Sequence, residues 1–294
     1  MYELIHVGEN TFYMDCPAKV GFYRTGGSEV WLIDSGSDRD AAKKVKKLLD
    51  AQGWTVKAIV NTHSHADHIG GNQQLQKLTG CPVYAPGVES AFTRYPVLEP
   101  ALLYGGCPMK ELQNKFLMAK ESEAQPLTSD ILPEGLELIP LPGHCYEMVG
   151  FRTADNVVFL ADSLSSRETL DKYQVGYLYD VGAYLETLEQ IKAMDAACFV
   201  PSHAEQTADI RPLAQANIDK TNEIAEAVVS LLTAPMPFED LLASLFDRYG
   251  LVMTLQQRML LGSTLKSYLT WLKGLGRVDW VFEDSRMLWK RTEA

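Results

Sequence analysis

Short apolar stretches alternate with amphipathic stretches along the first half of the chain. Residues 30–33, 56–60 and 82–85 are apolar runs that lead into polar or glycine-containing turns. Between them, residues 41–49 and 69–78 have the spacing of three and four positions that is typical of amphipathic helices. This alternation of strand and helix patterns predicts a layered α/β fold.

Residues 87–130 interrupt the alternation. They contain turn-forming Pro and Gly residues and a helical pattern at 109–120, but no clear strand pattern. We therefore expect an insertion that folds over one edge of the sandwich. Beyond it, strand patterns occur at 136–141, 149–153, 157–160 and 198–200, and helical patterns occur at 182–194 and 212–231.

A change in pattern at Ala234-Pro235-Met236-Pro237 predicts a domain boundary. The chain is accordingly divided into a catalytic domain at 1–234 and a smaller domain at 235–294. In the smaller part, helical patterns at 238–248, 254–261 and 263–273 precede a predicted hairpin at 278–290. Three helices followed by a two-stranded hairpin is the element order of a winged helix.

The charge of the chain bears on its partners. The net charge is −11, and residues 235–294 carry eight Lys and Arg against seven Asp and Glu, so the acidic excess lies in residues 1–234. An acidic surface repels phosphate backbones, which disfavours nucleic acid as a partner. The third predicted helix of the C-terminal region adds only Lys266 and Lys273. We expect this region to pack on the catalytic domain, shape its pocket or form a homodimer contact.

Several features bear on the cellular compartment. No stretch approaches the roughly 20 apolar residues that a membrane-spanning helix needs. Residues 1–6 have the pattern of a first strand rather than that of a signal peptide. The five cysteines are widely scattered, without a CxxC pair, which is typical of reduced thiols. We expect a cytoplasmic protein without a membrane partner.

Five of the six histidines fall in three short clusters at the ends of apolar strands. The first cluster follows residues 56–60, and in an extended segment His63 and His65 point to the same side. The chain then turns into a helix, so Asp67 and His68 can reach a second point nearby. One short segment can thus supply two ligands to each of two metal ions.

The other candidate ligands, His144, Asp162 and His203, also follow strands. Loops at one end of a sandwich are where such side chains can converge. Imidazole and carboxylate ligands suit Zn²⁺ and also Fe or Mn. A carboxylate such as Asp162 can bridge two ions about 3.5–4 Å apart. The sequence therefore predicts two divalent metal ions, with Zn²⁺ as the first choice.

The run His63-Ser64-His65-Ala66-Asp67-His68, with the three later ligands, strongly resembles the motifs of the metallo-β-lactamase-fold hydrolases, including their glyoxalase II-like members. The resemblance covers about residues 1–210 and implies an αββα sandwich. It implies that the first ion is held by His63, His65 and His144, that the second is held by Asp67, His68 and His203, and that Asp162 bridges the two.

The resemblance also implies roles beside the ligand set. Asp67 is the candidate catalytic residue, because its family equivalent is thought to take or give protons during turnover. Asp34 matches a family position that hydrogen-bonds a ligand. Cys145 stands where the family usually has Thr, and we interpret it as a small buried residue beside the site. A contact with a ligand, or a redox role, is the alternative for this thiol.

Two positions separate the chain from branches of the family. Flavodiiron-type members carry Glu where His65 stands, and true β-lactamases commonly carry Cys where Asp162 stands. Residues 235–294 resemble the β-lactamase-associated winged-helix domain, on element order and Trp271, Trp280 and Trp289. Because one such two-domain member is an endoribonuclease, nucleic acid remains an alternative partner.

These features predict a dinuclear hydrolase that uses a metal-bridging hydroxide on a small-molecule ester, thioester or lactone. The first alternative is a metal-dependent endoribonuclease or phosphodiesterase, which the winged-helix resemblance supports and the charge opposes. The second is a mononuclear-iron persulfide dioxygenase that leaves the second metal site empty. A nucleic-acid-binding regulator with a vestigial site is disfavoured by the complete ligand set.

Overall fold

Two β-sheets lie face to face, with helices packed on both outer sides. The computed structural model describes residues 2–292. The first sheet has seven strands in sequential order, and its last three strand pairs are parallel. Its strands are β1 (Leu4–His6), β2 (Thr11–Met14), β3 (Val20–Gly26), β4 (Glu29–Ile33), β5 (Thr55–Val60), β6 (Val83–Ala85) and β7 (Ala124–Pro126).

The second sheet has four strands and the third has three. In the second sheet, β8 (Leu136–Pro140), β9 (Val149–Thr153), β10 (Val157–Ala161) and β11 (Cys198–Pro201) lie in the order β11-β10-β9-β8, and only the β10–β11 pair is parallel. The third sheet is antiparallel and contains β12 (Met236–Pro237), β13 (Val278–Glu283) and β14 (Arg286–Arg291).

Ten α-helices lie in the described part of the chain. They are α1 (Arg39–Gln52), α2 (Ala66–Ile69), α3 (Asn72–Thr79), α4 (Glu89–Arg94), α5 (Leu98–Tyr104), α6 (Arg167–Tyr173), α7 (Val181–Lys192), α8 (Arg211–Leu231), α9 (Phe238–Arg248) and α10 (Leu255–Gly274). None of these helices combines the length and the apolar character that crossing a bilayer requires.

The strands at the centre of each sheet are buried on both faces. In β4, Val30 and Leu32 pack toward α1 and α3, whereas Trp31 and Ile33 pack between the two sheets. Strand β10 divides its side chains in the same way between the sheet interface and the helices on the far side. The layers are therefore helix, sheet, sheet and helix, and the predicted αββα sandwich is confirmed.

Helices from the C-terminal region belong to the same hydrophobic core as the second sheet. Leu241 and Leu245 of α9 and Leu265 and Leu269 of α10 are fully or almost fully buried. They share one cluster with Val158 of β10 and with apolar residues of α7 and α8. The C-terminal region thus packs on the catalytic part of the chain, as its charge balance led us to expect.

The predicted helix at 69–78 is two helices, α2 and α3, separated by Gly70 and Gly71. A Cβ atom on Gly70 would lie 2.1 Å from the carbonyl oxygen of Ser37, and one on Gly71 would lie 2.2 Å from that of Ser35. Only glycine permits this close backbone approach. The break brings the segment that carries His68 against the turn after β4.

The prediction for residues 87–130 is wrong in two details. The segment does contain a strand, because β7 pairs in parallel with β6 and extends the first sheet. The helix predicted at 109–120 is reduced to a 3₁₀ turn at Lys110–Leu112. Only Leu112 of this turn is buried, so a single side chain, and not one face of a helix, packs into the core there.

The two helices predicted at 254–261 and 263–273 are one continuous helix, α10. Gly262 lies in its interior, where it faces Leu242 of α9. Burial on both sides of Gly262 holds the helix together, although glycine alone favours a break. The region contains two helices and a three-stranded sheet instead of the predicted three helices and hairpin. The predicted element order is therefore wrong in its number of helices and strands. The domain boundary near residue 234 stays a prediction.

Strands β2 and β3 and helix α6 are among the elements that had no counterpart in the predicted pattern. Strands β2 and β3 have buried residues on both faces, so their sequences lack the alternation that marks a half-exposed strand. Helix α6 has no fully buried residue and begins with the hydroxyl of Ser166 accepting from the backbone N–H of Thr169. A helix without a buried face has no periodic pattern of apolar residues, so its sequence does not predict it.

Leu265 tests whether the C-terminal helices and the second sheet unfold together. It is fully buried in the shared core, so Leu265→Ala is expected to lower the free energy of unfolding by about 2–5 kcal/mol. We expect urea unfolding to remain a single transition by both tryptophan fluorescence and circular dichroism. Leu275→Ala is the control, because Leu275 is exposed. Loss of only part of the signal at low urea would instead indicate an independently folded C-terminal domain.

Candidate metal centre

The segment from His63 to His68 connects strand β5 to helix α2. His63 and His65 lie in extended chain before the helix, and Asp67 and His68 lie within it. The change from extended to helical backbone turns the second pair of side chains toward a different point from the first pair. This local geometry is what the sequence pattern predicted for the cluster.

Asp34 joins the turn after β4 to this segment. Its Oδ1 accepts a hydrogen bond of 2.8 Å from the backbone N–H of Thr62, and its Oδ2 accepts one of 2.8 Å from the Thr62 hydroxyl. The same Oδ2 lies 2.8 Å from Nδ1 of His68. Asp34 has a positive φ of 63°, a conformation that Asp tolerates better than most residues. One buried carboxylate thus fixes both the segment and one imidazole.

The first group of candidate ligands brings three imidazoles together. Nδ1 of His65 lies 3.1 Å from Nε2 of His63 and 3.0 Å from Nε2 of His144. Oδ2 of Asp162 lies 4.0 Å and 3.6 Å from the same two Nε2 atoms. With Asp162, these residues form one of two groups whose ligand atoms all lie within 4.8 Å of one another.

The second group contains Asp67, His68 and His203, again with Asp162. Nε2 of His203 lies 3.2 Å from Oδ2 of Asp67 and 3.2 Å from Oδ2 of Asp162. Nε2 of His68 lies 3.1 Å from Oδ1 of Asp162. The structure therefore brings all seven predicted ligands together and divides them into the two predicted sets, with Asp162 in both.

The hydrogen bonds on the outer side of the imidazoles decide which nitrogen faces the centre. Nδ1 of His203 donates to the carbonyl of Pro17 at 2.7 Å. Nδ1 of His63 lies 3.0 Å from the Thr62 hydroxyl, which itself donates to Asp34. With Nδ1 protonated in this way, the lone pair of Nε2 is left for a metal ion.

The charges in the cluster shift the pKa values strongly. Burial opposes the ionisation of Asp162, yet His203 and His68 hold its pKa well below the usual value. In return, the Asp162 carboxylate raises the pKa of His203 to about 10. Burial also opposes ionisation of Asp67, but His68 and His203 lower its pKa to about 2. Both carboxylates are therefore ionised near neutral pH and able to act as ligands, whereas His203 has to release its proton when it binds a metal ion.

Glu89 is a structural partner of the site that sequence reasoning missed. This buried residue of α4 accepts a 3.0 Å hydrogen bond from the backbone N–H of Ser64 and a second one from the Ser64 hydroxyl. Its other oxygen accepts from the backbone N–H of Glu147. Glu89 thereby connects the loop between His63 and His65 to the loop after His144. No local sequence pattern predicts such a contact.

Glu99 and Tyr177 lie next to His65. Oε1 of Glu99 on α5 is 3.7 Å from Nε2 of His65, and burial raises the pKa of this carboxyl. The ring of Tyr177 lies 5.5 Å from that of His65 and 5.8 Å from that of His144. The segment predicted as an insertion therefore contributes to the surroundings of the site through α5.

Cys145 is a buried residue of the core around the second sheet. Burial raises the pKa of its thiol well above the ordinary value. A thiol that stays protonated is a poor nucleophile and a poor metal ligand. These properties agree with the interpretation of Cys145 as a small packing residue and oppose a redox role.

The model of the metallo-beta-lactamase superfamily matches residues 13–203 of the chain. This range is about two thirds of the sequence and includes all seven candidate ligands. Among curated relatives, a protein named hydroxyacylglutathione hydrolase from Methylococcus capsulatus is 29% identical over 161 residues, which is 54% of this chain and 52% of that protein.

A second hydroxyacylglutathione hydrolase, from Nitrobacter winogradskyi, is 31% identical over 133 residues, which is 44% of this chain and 42% of that protein. The chain thus spans about half the length, or less, of the curated relatives it matches. These similarities connect the chain to hydrolases by sequence without extending to their whole length.

Solved structures resemble the chain over its full length. A metallo-beta-lactamase family protein from Thermus thermophilus has a TM-score of 0.71 at 20% identity and covers 99% of this chain and 98% of its own. A beta-lactamase domain protein from Burkholderia ambifaria has a TM-score of 0.70 at 15% identity and covers 99% and 94%. At such identities these structures establish the shared fold, including the C-terminal region. On the matched family model and this fold, the chain belongs to the metallo-beta-lactamase superfamily.

Proposed function

We propose that the chain is a metal-dependent hydrolase with two divalent ions, Zn²⁺ first among them, acting on a small-molecule ester, thioester or lactone. The observation that carries the proposal is the position of Asp162, which belongs to both groups of ligand atoms. A carboxylate shared in this way is suited to bridge two ions. The hydrolase names of the relatives support the same reaction class.

The donor atoms fit divalent ions of this size. A tetrahedral Zn²⁺ with bonds of about 2.0–2.1 Å separates its ligand atoms by about 3.3 Å. In the first group, the four pairs of atoms measured above lie 3.0 to 4.0 Å apart. Nε2 of His68 and Oδ1 of Asp162 are buried, and although they lie 3.1 Å apart they form no hydrogen bond of acceptable geometry with each other or with another group within residues 2–292. Because such atoms are costly to leave unsatisfied, they favour an ion at this point.

Bound divalent ions supply Lewis-acid activation of water and of the substrate carbonyl. The chain itself orients the imidazoles through Asp34, Thr62 and Pro17, as described above. Asp67 combines a place among the ligand atoms with a side chain that is 42% exposed. We assign to its carboxylate the transfer of a proton between the reacting water and the leaving group.

The charge around the site supports the proposed substrate class. A glutathione thioester carries carboxylates, which would call for several cations near the centre. The cation that lines the cavity beside the metal centre is Lys220, whose Nζ lies 2.8 Å from Oε2 of Glu223 and 2.6 Å from Oε1 of Gln174. This pairing favours a smaller and less anionic substrate than the one in the relatives' names.

The two enzymatic alternatives differ from this proposal in measurable ways. A persulfide dioxygenase of this family needs one iron, whereas the second ligand group here is complete. Oxygen uptake with one iron per chain would decide for it. An endoribonuclease would cleave single-stranded RNA with the wild-type chain and lose this activity in Asp67→Ala. The net charge of −11 opposes that outcome.

Asp162→Ala tests the shared ligand. Because the substitution removes one ligand from each group, the metal content should fall from about two ions per chain to one or fewer. Hydrolysis of model thioesters should fall by at least about 1,000-fold, equivalent to about 4 kcal/mol of barrier. Asp50→Ala on the exposed face of α1 is the matched control. Full turnover and full zinc content in Asp162→Ala would remove the basis of the assignment.

Asp34→Asn tests the support of His68 and Thr62. An amide keeps the size of the side chain but replaces one accepting oxygen by a donor, so it cannot accept all three hydrogen bonds. We expect the zinc affinity, measured by competition with a chromophoric chelator, to fall by about 10- to 100-fold. Asp38→Asn, at the N-cap of α1, is the control, because Asn caps as well as Asp. Unchanged zinc affinity in Asp34→Asn would mean that Asp34 stabilises only the turn after β4 and does not support the ligands.

A further inference from the structure

His203 is the most exposed imidazole among the candidate ligands. Its side chain is 31% exposed, whereas the other four candidate imidazoles are between 0% and 18% exposed. A side chain that the core does not enclose is not oriented by packing, so its position depends on polar contacts. One such contact is the hydrogen bond from Nδ1 of His203 to the carbonyl of Pro17, in the loop between β2 and β3.

The backbone that carries His203 is a loop at residues 200–206, on the edge of the second sheet. Strand β11 leads into this loop and has a neighbour in its sheet on one side only, which is β10. Two backbone hydrogen bonds between Phe199 and Thr207, of 2.7 and 3.0 Å, close the base of the loop. The backbone N–H of Ser202 donates to the last residue of β10 at 3.0 Å. None of these bonds uses a carbonyl next to His203.

Lys19, the residue directly before β3, contacts this loop from the other side of the chain. Its Nζ donates to the carbonyls of Pro201 at 3.3 Å, Ser202 at 3.5 Å and Ala204 at 2.5 Å. Its backbone N–H also donates to the carbonyl of Ser202, at 3.4 Å. An ammonium group has three donors and no acceptor, so it suits a group of three carbonyls. Two of these carbonyls precede His203 and one follows it, so Lys19 holds the backbone on both sides of the ligand.

The surroundings of Lys19 keep its ammonium group at the loop. The side chain is partly buried, and its Nζ lies 5.7 Å from the centre of the Tyr13 ring. Burial lowers the pKa of this amine, and the carboxylates of Asp15 and Glu205 act in the opposite direction. Lys19 therefore differs from a surface lysine such as Lys57, whose side chain is 57% exposed.

The hydrogen bonds of the Lys19 side chain all go to the loop of one candidate ligand. That ligand, His203, belongs to the second group and not to the first. The first group has its own support, because Glu89 links the loop between His63 and His65 to the loop after His144. A change at Lys19 should therefore act on the second ion and leave the first ion in place.

We propose that Lys19 is a positioning residue for the second metal ion, because its ammonium group holds the backbone on both sides of His203 and thereby orients the imidazole. The inference rests on the proposed two-ion function. Lys19 acts through His203 and not on the substrate. Loss of a group that supports a metal ligand typically lowers the metal affinity by about 10- to 100-fold. The second ion should thus be the one that is lost when Lys19 is replaced.

The test measures both zinc affinities of the full chain by competition with a chromophoric chelator. His144→Ala and His203→Ala show which binding step belongs to the first ion and which to the second, because each removes a ligand from one group. Lys19→Met has a side chain of similar length that donates no hydrogen bond. We expect it to weaken the second step by about 10- to 100-fold and to change the first by less than about 2-fold.

Two further variants control for charge and for folding. Lys57→Met is the matched control, because Lys57 is an exposed lysine that pairs with Glu29, and it should change neither step. Lys19→Arg keeps the charge and the donors, but a planar guanidinium cannot converge on three carbonyls as an ammonium group can. It should weaken the second step by less than Lys19→Met and also spare the first. Lys19→Arg therefore decides the question if Lys19→Met does not fold.

Excess zinc separates a positioning role from a catalytic one. Because Lys19→Met lowers only the affinity for an ion, its hydrolysis of model thioesters should recover with rising zinc to within about 3-fold of the wild-type rate. Asp162→Ala should not recover in the same titration, since it lacks the shared ligand.

The outcomes distinguish this inference from the proposed function. Unchanged zinc affinities in Lys19→Met, with only a lower thermal midpoint of the metal-free chain, would overturn the inference by showing a purely structural role. Equal weakening of both steps would overturn it as well. A wild-type chain that binds a single ion would contradict both the two-ion function and the role of Lys19. Two bound ions without hydrolysis of any ester, thioester or lactone would contradict the function alone, because the role of Lys19 is measured by the affinities.

Discussion

The convergence of imidazole and carboxylate groups on Asp162 is the constraint around which the rest of the structure is arranged. Imidazole and carboxylate groups lie close together there, and two of them, His63 and His68, are fully buried, where an unpaired charge is costly. No gain in apolar burial accounts for such a cluster. The free energy that holds it must come from the two-sheet core, whose strands β4 and β10 are buried on both faces. The core therefore stabilises the fold, and the cluster at its edge is the candidate functional site.

Two buried carboxylates outside the ligand set reduce this cost. Asp34 links the end of β4 to Thr62 and His68, and Glu89 links Ser64 to the loop after His144. Each accepts hydrogen bonds from two separate segments, so contacts within the protein fix the orientation of the candidate ligands. Such preorganisation is what allows a site to bind ions without reordering its loops. The backbone contact of Gly70 and Gly71 with the turn after β4 also holds the segment that carries His68 in place.

The sequence was most informative where function requires short-range patterns. The ligands in the run from His63 to His68 follow from side-chain periodicity, and Asp34 follows from the family resemblance. Glu89 and Glu99 were not predicted, because they lie 25 and 34 residues from the Ser64 and His65 that they approach. A carboxylate in an exposed helix and one buried against a loop look alike in a single sequence. The same limit applies to β7, whose pairing with β6 spans some 40 residues.

The continuity of α10 has a consequence for the second candidate partner. A helix that reads nucleic acid needs one exposed face with free basic side chains. Helix α10 buries Leu265 and Leu269 in the core and Tyr268 in the cavity wall. Its lysines are engaged as well, because Lys266 lies over the ring of Phe238 and Lys273 pairs with Asp279. The helix thus packs into the interior of its own chain, and its Tyr268 lines the cavity beside the candidate metal ligands.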